Sequence, residues 1–426
     1  MRRFAAALDR LGPLRFALLF ALGCAGLVWL LGGIGTSWWW HPPGFVNATG
    51  ADIGRDFISF YSASTLALSS QPSAVYDFAT LQATHEAVIG APVAGFIFLY
   101  PPTYLLLVTP LALAPYLVAL ALWLIVPLLA LLRLLRRIAP HPLAPIAALL
   151  FPGTSQCLIS GQNGVISALI LAGGLLGLER RPVLAGLIFS SLSYKPHLAG
   201  AVFAALFFGR HWRALAAALL GVVVLAVASV AAFGIGPWAA FSGEFAAVRW
   251  MVESGAFRWD RMASVFAAAR LAGLGLTGSY LLQGLVTLAA LAALAWTWRR
   301  QGSLALRGSV LVLTIPLMTP YVFDYDLVML LLPLAWLLRA GMATGFRRGE
   351  AVLLAATWAC PVTGWLLAEW SHLQATPVVI LLLLWVTLRR VAAETADPRH
   401  PRLSAPFKPK LIGQSVRADR RSGSPA

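Results

Sequence analysis

The sequence predicts an all-α polytopic membrane protein, because long apolar runs recur along a chain in which charge is scarce. Of the 426 residues, 59% are hydrophobic and only 11% are charged. Runs of about 20 apolar residues are long enough to cross the hydrocarbon core of a bilayer as helices. Their residues do not alternate between apolar and polar as those of barrel strands do. The clearest runs are 16–34, 115–132, 213–233, 280–298 and 351–369.

Arginine clusters at the ends of the apolar runs predict the orientation, because cytoplasmic loops of membrane proteins are enriched in Lys and Arg. The clusters include Arg2/Arg3, Arg136/Arg137, Arg299/Arg300 and Arg389/Arg390. Placing all of them inside predicts about 12 crossings, with the N- and C-termini in the cytoplasm. Segments 182–194 and 197–209 are expected to form a hairpin of half-length helices that turns at Lys195-Pro196.

Residues 1–390 are predicted to form a single transmembrane domain, followed by a basic, disordered cytoplasmic tail over 391–426. Two long loops are expected outside the cytoplasm, at 35–97 and 235–279. Both contain aromatic residues interleaved with charges, which is typical of amphipathic helices at a membrane surface. In the first loop these helices are expected at 56–70 and 77–90.

The formal net charge of +16 does not indicate a nucleic-acid partner, because the basic residues lie in short clusters at helix ends and in the tail. The three cysteines, Cys24, Cys157 and Cys360, are too far apart in sequence for a metal-binding spacing or a disulfide framework. Membrane lipids are therefore the expected surroundings of this chain.

With the arginine clusters inside, the polar motifs of the chain all reach the opposite face of the membrane. These motifs lie at 54–61, 99–102, 161–163, 194–197 and 321–326. Because arginine alone decided the orientation, this clustering independently indicates one extracytoplasmic site.

The order of the motifs resembles that of the bacterial membrane glycosyltransferases of family 87, which are of the GT-C type. The matching motifs are Gly-Arg-Asp-Phe-x-x-Phe-Tyr at 54–61, Val-Tyr-Asp at 75–77, Tyr-Pro-Pro at 100–102, Gly-Gln-Asn at 161–163, Lys-Pro at 195–196 and Pro-Tyr-x-Phe-x-Tyr-Asp at 320–326. The resemblance implies an inner-membrane hexosyltransferase with a polyprenyl-phosphate sugar as donor and a lipid or glycan as acceptor. Mannose is the best-known sugar of the family.

Asp56 is the predicted catalytic residue, since glycosyl transfer needs a carboxylate that takes the proton of the attacking hydroxyl. It also matches the acidic residue of the family motif. An alternative is that Asp56 is the N-cap of the helix that follows it. Asp52 is the substitute base in the same loop.

Lys195 is the second candidate, because a lysine inside an apolar hairpin is costly and its ammonium suits the donor phosphate. The alternative is a lysine that extends to the membrane interface. The other candidate substrate-binding residues are Arg55, Tyr61, Tyr100, Gln162, Asn163, Tyr325 and Asp326. Helix capping is the alternative for Asn163 and Asp326.

No cofactor is predicted, although Asp324 and Asp326 form a carboxylate pair that suits a divalent ion if a third ligand joins them. Two other function classes remain open. A transporter or lipid flippase would place polar residues on broken helices such as the one at Lys195-Pro196. A structural subunit of the envelope would have no enzymatic activity.

Overall fold

In the computed structural model, which describes residues 12–42, 44–300 and 302–396, the regular structure is almost entirely helical. The α-helices are α1 (Gly12–Ser37), α2 (Phe57–Leu68), α3 (Phe78–Ile89), α4 (Leu105–Val108), α5 (Tyr116–Ile138), α6 (Ala144–Leu149), α7 (Pro152–Ile159), α8 (Gly164–Gly177), α9 (Pro182–Ser190), α10 (Pro196–Phe208), α11 (Trp212–Phe233), α12 (Gly236–Ser254), α13 (Val265–Leu271), α14 (Leu276–Trp298), α15 (Leu304–Thr314), α16 (Leu331–Thr344), α17 (Glu350–Ser371) and α18 (Thr376–Ala396). Short 3₁₀ helices occupy Pro72–Tyr76, Pro102–Tyr104, Thr109–Leu113, Ser191–Tyr194, Trp259–Arg261 and Asp324–Leu330. Two-residue strands, β1 (Trp40–His41) and β2 (Val46–Asn47), pair antiparallel in the first long loop.

Six helical segments of the described residues are long and apolar enough to cross a membrane. They are α5, α11, α14, the segment Asp324–Thr344, α17 and α18. Several shorter apolar helices accompany them, among them α8, α10 and the described part of α1 from Ala21 onward. The prediction of an all-α membrane protein is therefore confirmed, whereas the total of about 12 crossings stays a prediction.

The half-length hairpin is present where the sequence predicts it. The first arm is α9 with the 3₁₀ turn Ser191–Tyr194, and the second is α10. Lys195, between them, has a non-helical backbone because the following Pro196 disfavours the helical conformation of the residue before it. Pro196 then occupies the first turn of α10, where its missing N–H leaves no helical hydrogen bond unmade.

The structure corrects two expectations about the loops and the tail. Helix α2 does not lie on a surface: Phe57, Ile58 and Phe60 are fully buried by the rest of the chain. Its aromatic residues pack on protein: Phe57 contacts Tyr116 and Trp123, and Phe60 contacts Tyr100, Tyr104 and Trp123. The tail was expected from residue 391, but 391–396 continue α18. The remainder of that tail, and the N-terminal cluster before residue 12, lie outside the described residues.

Two hydrophobic clusters make up the interior of the described chain. The larger one is built mainly by α8, α9, α10, α15 and the segment Asp324–Thr344. The smaller one is aromatic and joins α2 to α5 through contacts such as Phe57 with Trp123, whose ring centroids are 6.1 Å apart. Tyr194 belongs to the smaller cluster and Tyr325 to the larger, so the polar motifs lie where the two clusters meet.

Candidate active site

Two glycine turns bring the first long loop onto the Gly-Gln-Asn motif. Gly54 and Gly161 both have positive φ, of 92° and 63°, which glycine adopts without steric cost. The N–H of Asp56 donates to the carbonyl of Ser160 at 3.2 Å. A Cβ on Gly161 would stand 2.0 Å from the Gly54 carbonyl oxygen, so the turns touch backbone to backbone. This close approach sets Asp56 beside Gln162.

The carboxylate of Asp56 faces this junction and remains partly exposed. Its Oδ2 accepts a hydrogen bond of 2.6 Å from Nε2 of Gln162. Asp56 does occupy the N-cap position of α2, as the capping alternative has it, but its side chain makes no capping hydrogen bond. Burial raises the pKa of Asp56 above that of an exposed aspartate, although the Gln162 hydrogen bond and the positive charge of Arg261 oppose the shift.

Asp52 lies deeper in the same loop. It is 2% exposed, and its Oδ2 has no hydrogen-bond partner. Burial raises the pKa of Asp52 to about 7. A carboxyl group closed off from solvent has less access to an acceptor hydroxyl than Asp56 has.

Gln162 and Asn163 tie the junction to a stack of tyrosines. The hydroxyl of Tyr100 donates to Gln162 Oε1 at 3.4 Å, and Asn163 Nδ2 donates to the hydroxyl of Tyr104 at 2.8 Å. Asn163 occupies the N-cap position of α8, but its side chain makes no capping hydrogen bond to that helix. The ring of Tyr104 stacks between those of Tyr100 and Tyr194, with centroids 4.4 and 4.9 Å away. These contacts fix the orientation of the Gln162 amide toward Asp56.

The second long loop reaches the site through Arg261, which sequence reasoning missed. Arg261 Nε donates to Asp324 Oδ2 at 2.9 Å, and Nη2 donates to Oδ1 at 3.0 Å. Gln156 Nε2 also donates to Asp324 Oδ2, at 3.2 Å. A backbone bond of 2.9 Å from Ala263 N to the Val322 carbonyl attaches the loop to the late motif. The only sequence signal was a charged residue among aromatics, and that pattern fits an interfacial helix equally well.

The Arg261 side chain is 26% exposed, and it lies close enough to Asp56 for its positive charge to favour the ionised carboxylate. Burial acts to lower the pKa of Arg261, but the charge and hydrogen bond of Asp324, together with the charge of Asp56, outweigh it, so the pKa is raised. The guanidinium is therefore permanently charged.

Lys195 pairs with Asp326 inside the protein. The Lys195 Nζ to Asp326 Oδ1 distance is 2.5 Å, and the two side chains are 5% and 2% exposed. The interface alternative for Lys195 is therefore wrong, because the ammonium is directed to a buried carboxylate. Asp326 Oδ2 also accepts a hydrogen bond from the Phe323 N–H at 3.4 Å. Asp326 therefore caps the 3₁₀ helix Asp324–Leu330, as the capping alternative has it, in addition to pairing with Lys195. The ring of Tyr325 lies 5.4 Å from the ammonium and stacks on Phe323.

The two late aspartates diverge, since Asp324 binds Arg261 and Asp326 binds Lys195. Among residues 12–42, 44–300 and 302–396, no group of three or more His, Cys, Asp or Glu is placed to hold a metal ion. The pair therefore forms two separate ion pairs rather than a shared ligand set.

The remaining candidates differ in where they lie. Arg55 adjoins Asp56 with a positive φ of 45°, and its Nε is buried with no hydrogen-bond partner. Tyr61 points away: its hydroxyl donates to the carbonyl of Ala114 at 2.9 Å, which fastens α2 to the turn before α5. Tyr61 is thus placed as a structural residue rather than a substrate contact. The structure unites the other candidates, and adds Arg261 and Gln156 to them.

A partly exposed carboxylate, held by an amide and flanked by two guanidinium groups, has the features of a site that removes a proton next to an anionic group. In comparison with known proteins, the model of glycosyltransferase family 87 matches residues 98–320, slightly more than half of the chain. The matched range contains Tyr100, Gln162, Lys195 and Arg261. No curated protein and no solved structure matches the chain.

Proposed function

This chain belongs to glycosyltransferase family 87, and we propose that this membrane glycosyltransferase moves a hexose from a polyprenyl-phosphate sugar to a lipid or glycan acceptor. The hydrogen-bonded, partly exposed carboxylate of Asp56 at the meeting point of both long loops carries the proposal. Mannose is the first sugar to test, because it is the best-known sugar of the family that the motifs resemble.

Asp56 acts as the general base. The acceptor oxygen attacks C1 of the hexose and its proton passes to Asp56, while the bond between C1 and the phosphate oxygen breaks. The raised pKa of Asp56 makes its carboxylate a stronger base than an exposed aspartate, and the Gln162 amide holds it in position. One base opposite the leaving group would invert the configuration at C1.

The leaving group is a polyprenyl phosphate, whose negative charge grows as the C1–O bond breaks. Arg261 and Arg55 are the cations that flank Asp56 with guanidinium groups, and Arg261 keeps an exposed portion. Guanidinium groups bind phosphate oxygens bidentately, so these two arginines are the proposed phosphate contacts. Lys195 was the expected phosphate contact, but it is enclosed with Asp326, whereas Arg261 keeps 26% of its side chain exposed although it is paired with Asp324. We assign Lys195 to holding the late motif in place.

The apolar helices around the site would accommodate the prenyl chain, and the arginine clusters at the opposite helix ends would face the cytoplasm. The proposed protein is thus a multi-pass protein of the bacterial inner membrane with its site outside the cytoplasm. A transporter or lipid flippase is the alternative function. The broken hairpin at Lys195 favours it, but the partly exposed base has no role in transport.

The test uses protein purified into lipid, radiolabelled polyprenyl-phosphate hexoses and a membrane-lipid extract as acceptor. Asp56→Asn is expected to lower transfer by a factor of about 10²–10⁴, the usual contribution of a general base, while donor binding survives. The matched control is Asp77→Asn in the same loop, which keeps a residue able to cap α3 in the way that Asp77 does. It should transfer sugar at the native rate.

Two other outcomes would change the assignment of the base or of the function. Transfer that persists in Asp56→Asn and disappears in Asp52→Asn would move the base to Asp52. Absence of transfer from every donor, in protein that is folded and binds a donor, would argue for the flippase, which vesicle assays of lipid translocation then measure.

A further inference from the structure

A second polar pocket lies at the other end of the helix that begins at the site. Helix α10 starts beside Lys195 and ends at Phe208, so its 13 residues separate the two places by about 20 Å. The open pocket there has a volume of about 650 Å³. Its lining includes Glu179, Arg210, His211, Trp298, Arg299 and Arg307.

Positive charge in this pocket is only partly compensated. Arg307 Nη2 donates to Glu179 at 2.8 Å, and its Nε is buried without a hydrogen-bond partner. Ser303 donates to the nearby carboxylate of Glu394, whose negative charge also acts on Arg307. Arg210 and Arg299 line the same pocket and are exposed. Several guanidinium groups therefore converge on one concave surface, which suits a phosphate group.

An apolar groove continues from this pocket along the membrane-spanning helix α14. The groove is a shallow depression on one face of α14, lined by Ala292, Ala295, Trp296, Arg299 and Arg300. The two arginines also line the cationic pocket. Arg300 covers the ring of Trp296 at 4.2 Å. Tryptophan and arginine at the end of a membrane helix mark the depth of the lipid head groups. The combined surface is thus cationic at head-group depth and apolar further into the membrane.

We propose that this surface binds one anionic phospholipid, with its phosphate between Arg210, Arg299 and Arg307 and an acyl chain in the groove along α14. A zwitterionic lipid would bring its own cation into a pocket that is already positively charged. A free phosphate would use the guanidinium groups but leave the groove unused. The site is separate from Asp56 and does not depend on the proposed transfer reaction.

The test is native mass spectrometry of the full-length protein released from nanodiscs that contain phosphatidylglycerol and phosphatidylcholine in equal amounts. The native protein is expected to retain one phosphatidylglycerol molecule. The variant Arg210→Gln/Arg299→Gln should bind it about 30-fold more weakly, since each surface arginine contributes about 1 kcal/mol to the attraction of an anionic lipid. The matched control, Arg136→Gln/Arg137→Gln, removes two exposed arginines at the end of α5 and should leave retention unchanged.

A third variant, Ala295→Phe, fills the groove without changing charge and should also weaken lipid retention. Equal retention of phosphatidylcholine would overturn the proposal, as would equal losses in the control. Displacement of the lipid by millimolar inorganic phosphate, with Ala295→Phe behaving as native, would show that a soluble anion occupies the pocket instead.

Discussion

Replacing Asp326 by Asn would leave the Lys195 ammonium buried without its counter-ion. The Lys195 and Asp326 side chains are 5% and 2% exposed and 2.5 Å apart, so water cannot replace the lost carboxylate. Removing one partner of a buried ion pair costs about 3–5 kcal/mol, because the remaining charge is uncompensated. We therefore expect the free energy of unfolding to fall by about 4 kcal/mol in Asp326→Asn, roughly a thousandfold in the folded-to-unfolded ratio.

Removing both charges should cost much less. In Lys195→Met/Asp326→Leu no charge remains to be desolvated, and such replacements of a buried pair are often neutral or stabilising. The double variant is therefore expected to unfold near the native midpoint. The difference between the double variant and the sum of the single variants measures the coupling of the two groups.

The assay is unfolding of the purified protein by SDS in mixed micelles, followed by tryptophan fluorescence. The control is Arg249→Gln, which breaks an exposed ion pair on α12 whose arginine side chain is 73% exposed, and it should leave the midpoint unchanged. A native midpoint for Asp326→Asn would refute the reasoning. A double variant as unstable as Asp326→Asn would show that packing rather than charge is responsible.

Three further changes have expected outcomes. Gly161→Ala would place a methyl group 2.0 Å from the Gly54 carbonyl oxygen and push the first long loop away from the Gly-Gln-Asn turn. The rate of transfer should therefore fall more than tenfold, and an unchanged rate would contradict the contact between the two turns. Gln162→Leu removes a hydrogen bond that lowers the pKa of Asp56, so the pKa rises and the acidic limb of kcat/KM, along which activity is lost as pH falls, should move to higher pH. An unchanged pH–rate profile would show that Gln162 does not influence the pKa of the catalytic base. Glu350→Gln breaks a buried ion pair that joins α17 to α18, and it should lower the free energy of unfolding by about 3 kcal/mol in the same SDS assay.

Hydrophobicity and proline together predicted much of the architecture. The apolar runs became the membrane-length helices α5, α11, α14 and α17, because their length alone suits a bilayer. Lys195-Pro196 was enough to place the hairpin turn. Helix α2 was different: its sequence fits a surface helix, and only the aromatic residues of distant segments that close over it bury it. Such closure depends on tertiary packing, which no local pattern records.

The site was predicted as a set of motifs but without its internal pairing. Asp56, Gln162 and Lys195 were recognisable because each polar group interrupts apolar sequence. The partner of Asp324 was not, because Arg261 comes from a loop 63 residues away with no motif of its own. Spacing along the chain identifies candidate residues, whereas a bidentate ion pair between loops exists only once both loops are folded.

The two ion pairs of the site differ in the exposure of their cation, and this difference distinguishes a structural role from contact with substrate. Lys195 and Asp326 are both enclosed, so their charges compensate each other inside the protein. The pair therefore contributes nothing to the binding of a substrate that arrives from outside. Arg261 is bound by an equally buried aspartate but keeps 26% of its side chain exposed. Asp324 therefore fixes the guanidinium without hiding it, and in the proposed reaction the donor phosphate would meet a cation that is already oriented. Pre-orientation of this kind favours the charge that develops on the leaving phosphate, because little reorganisation is needed during transfer.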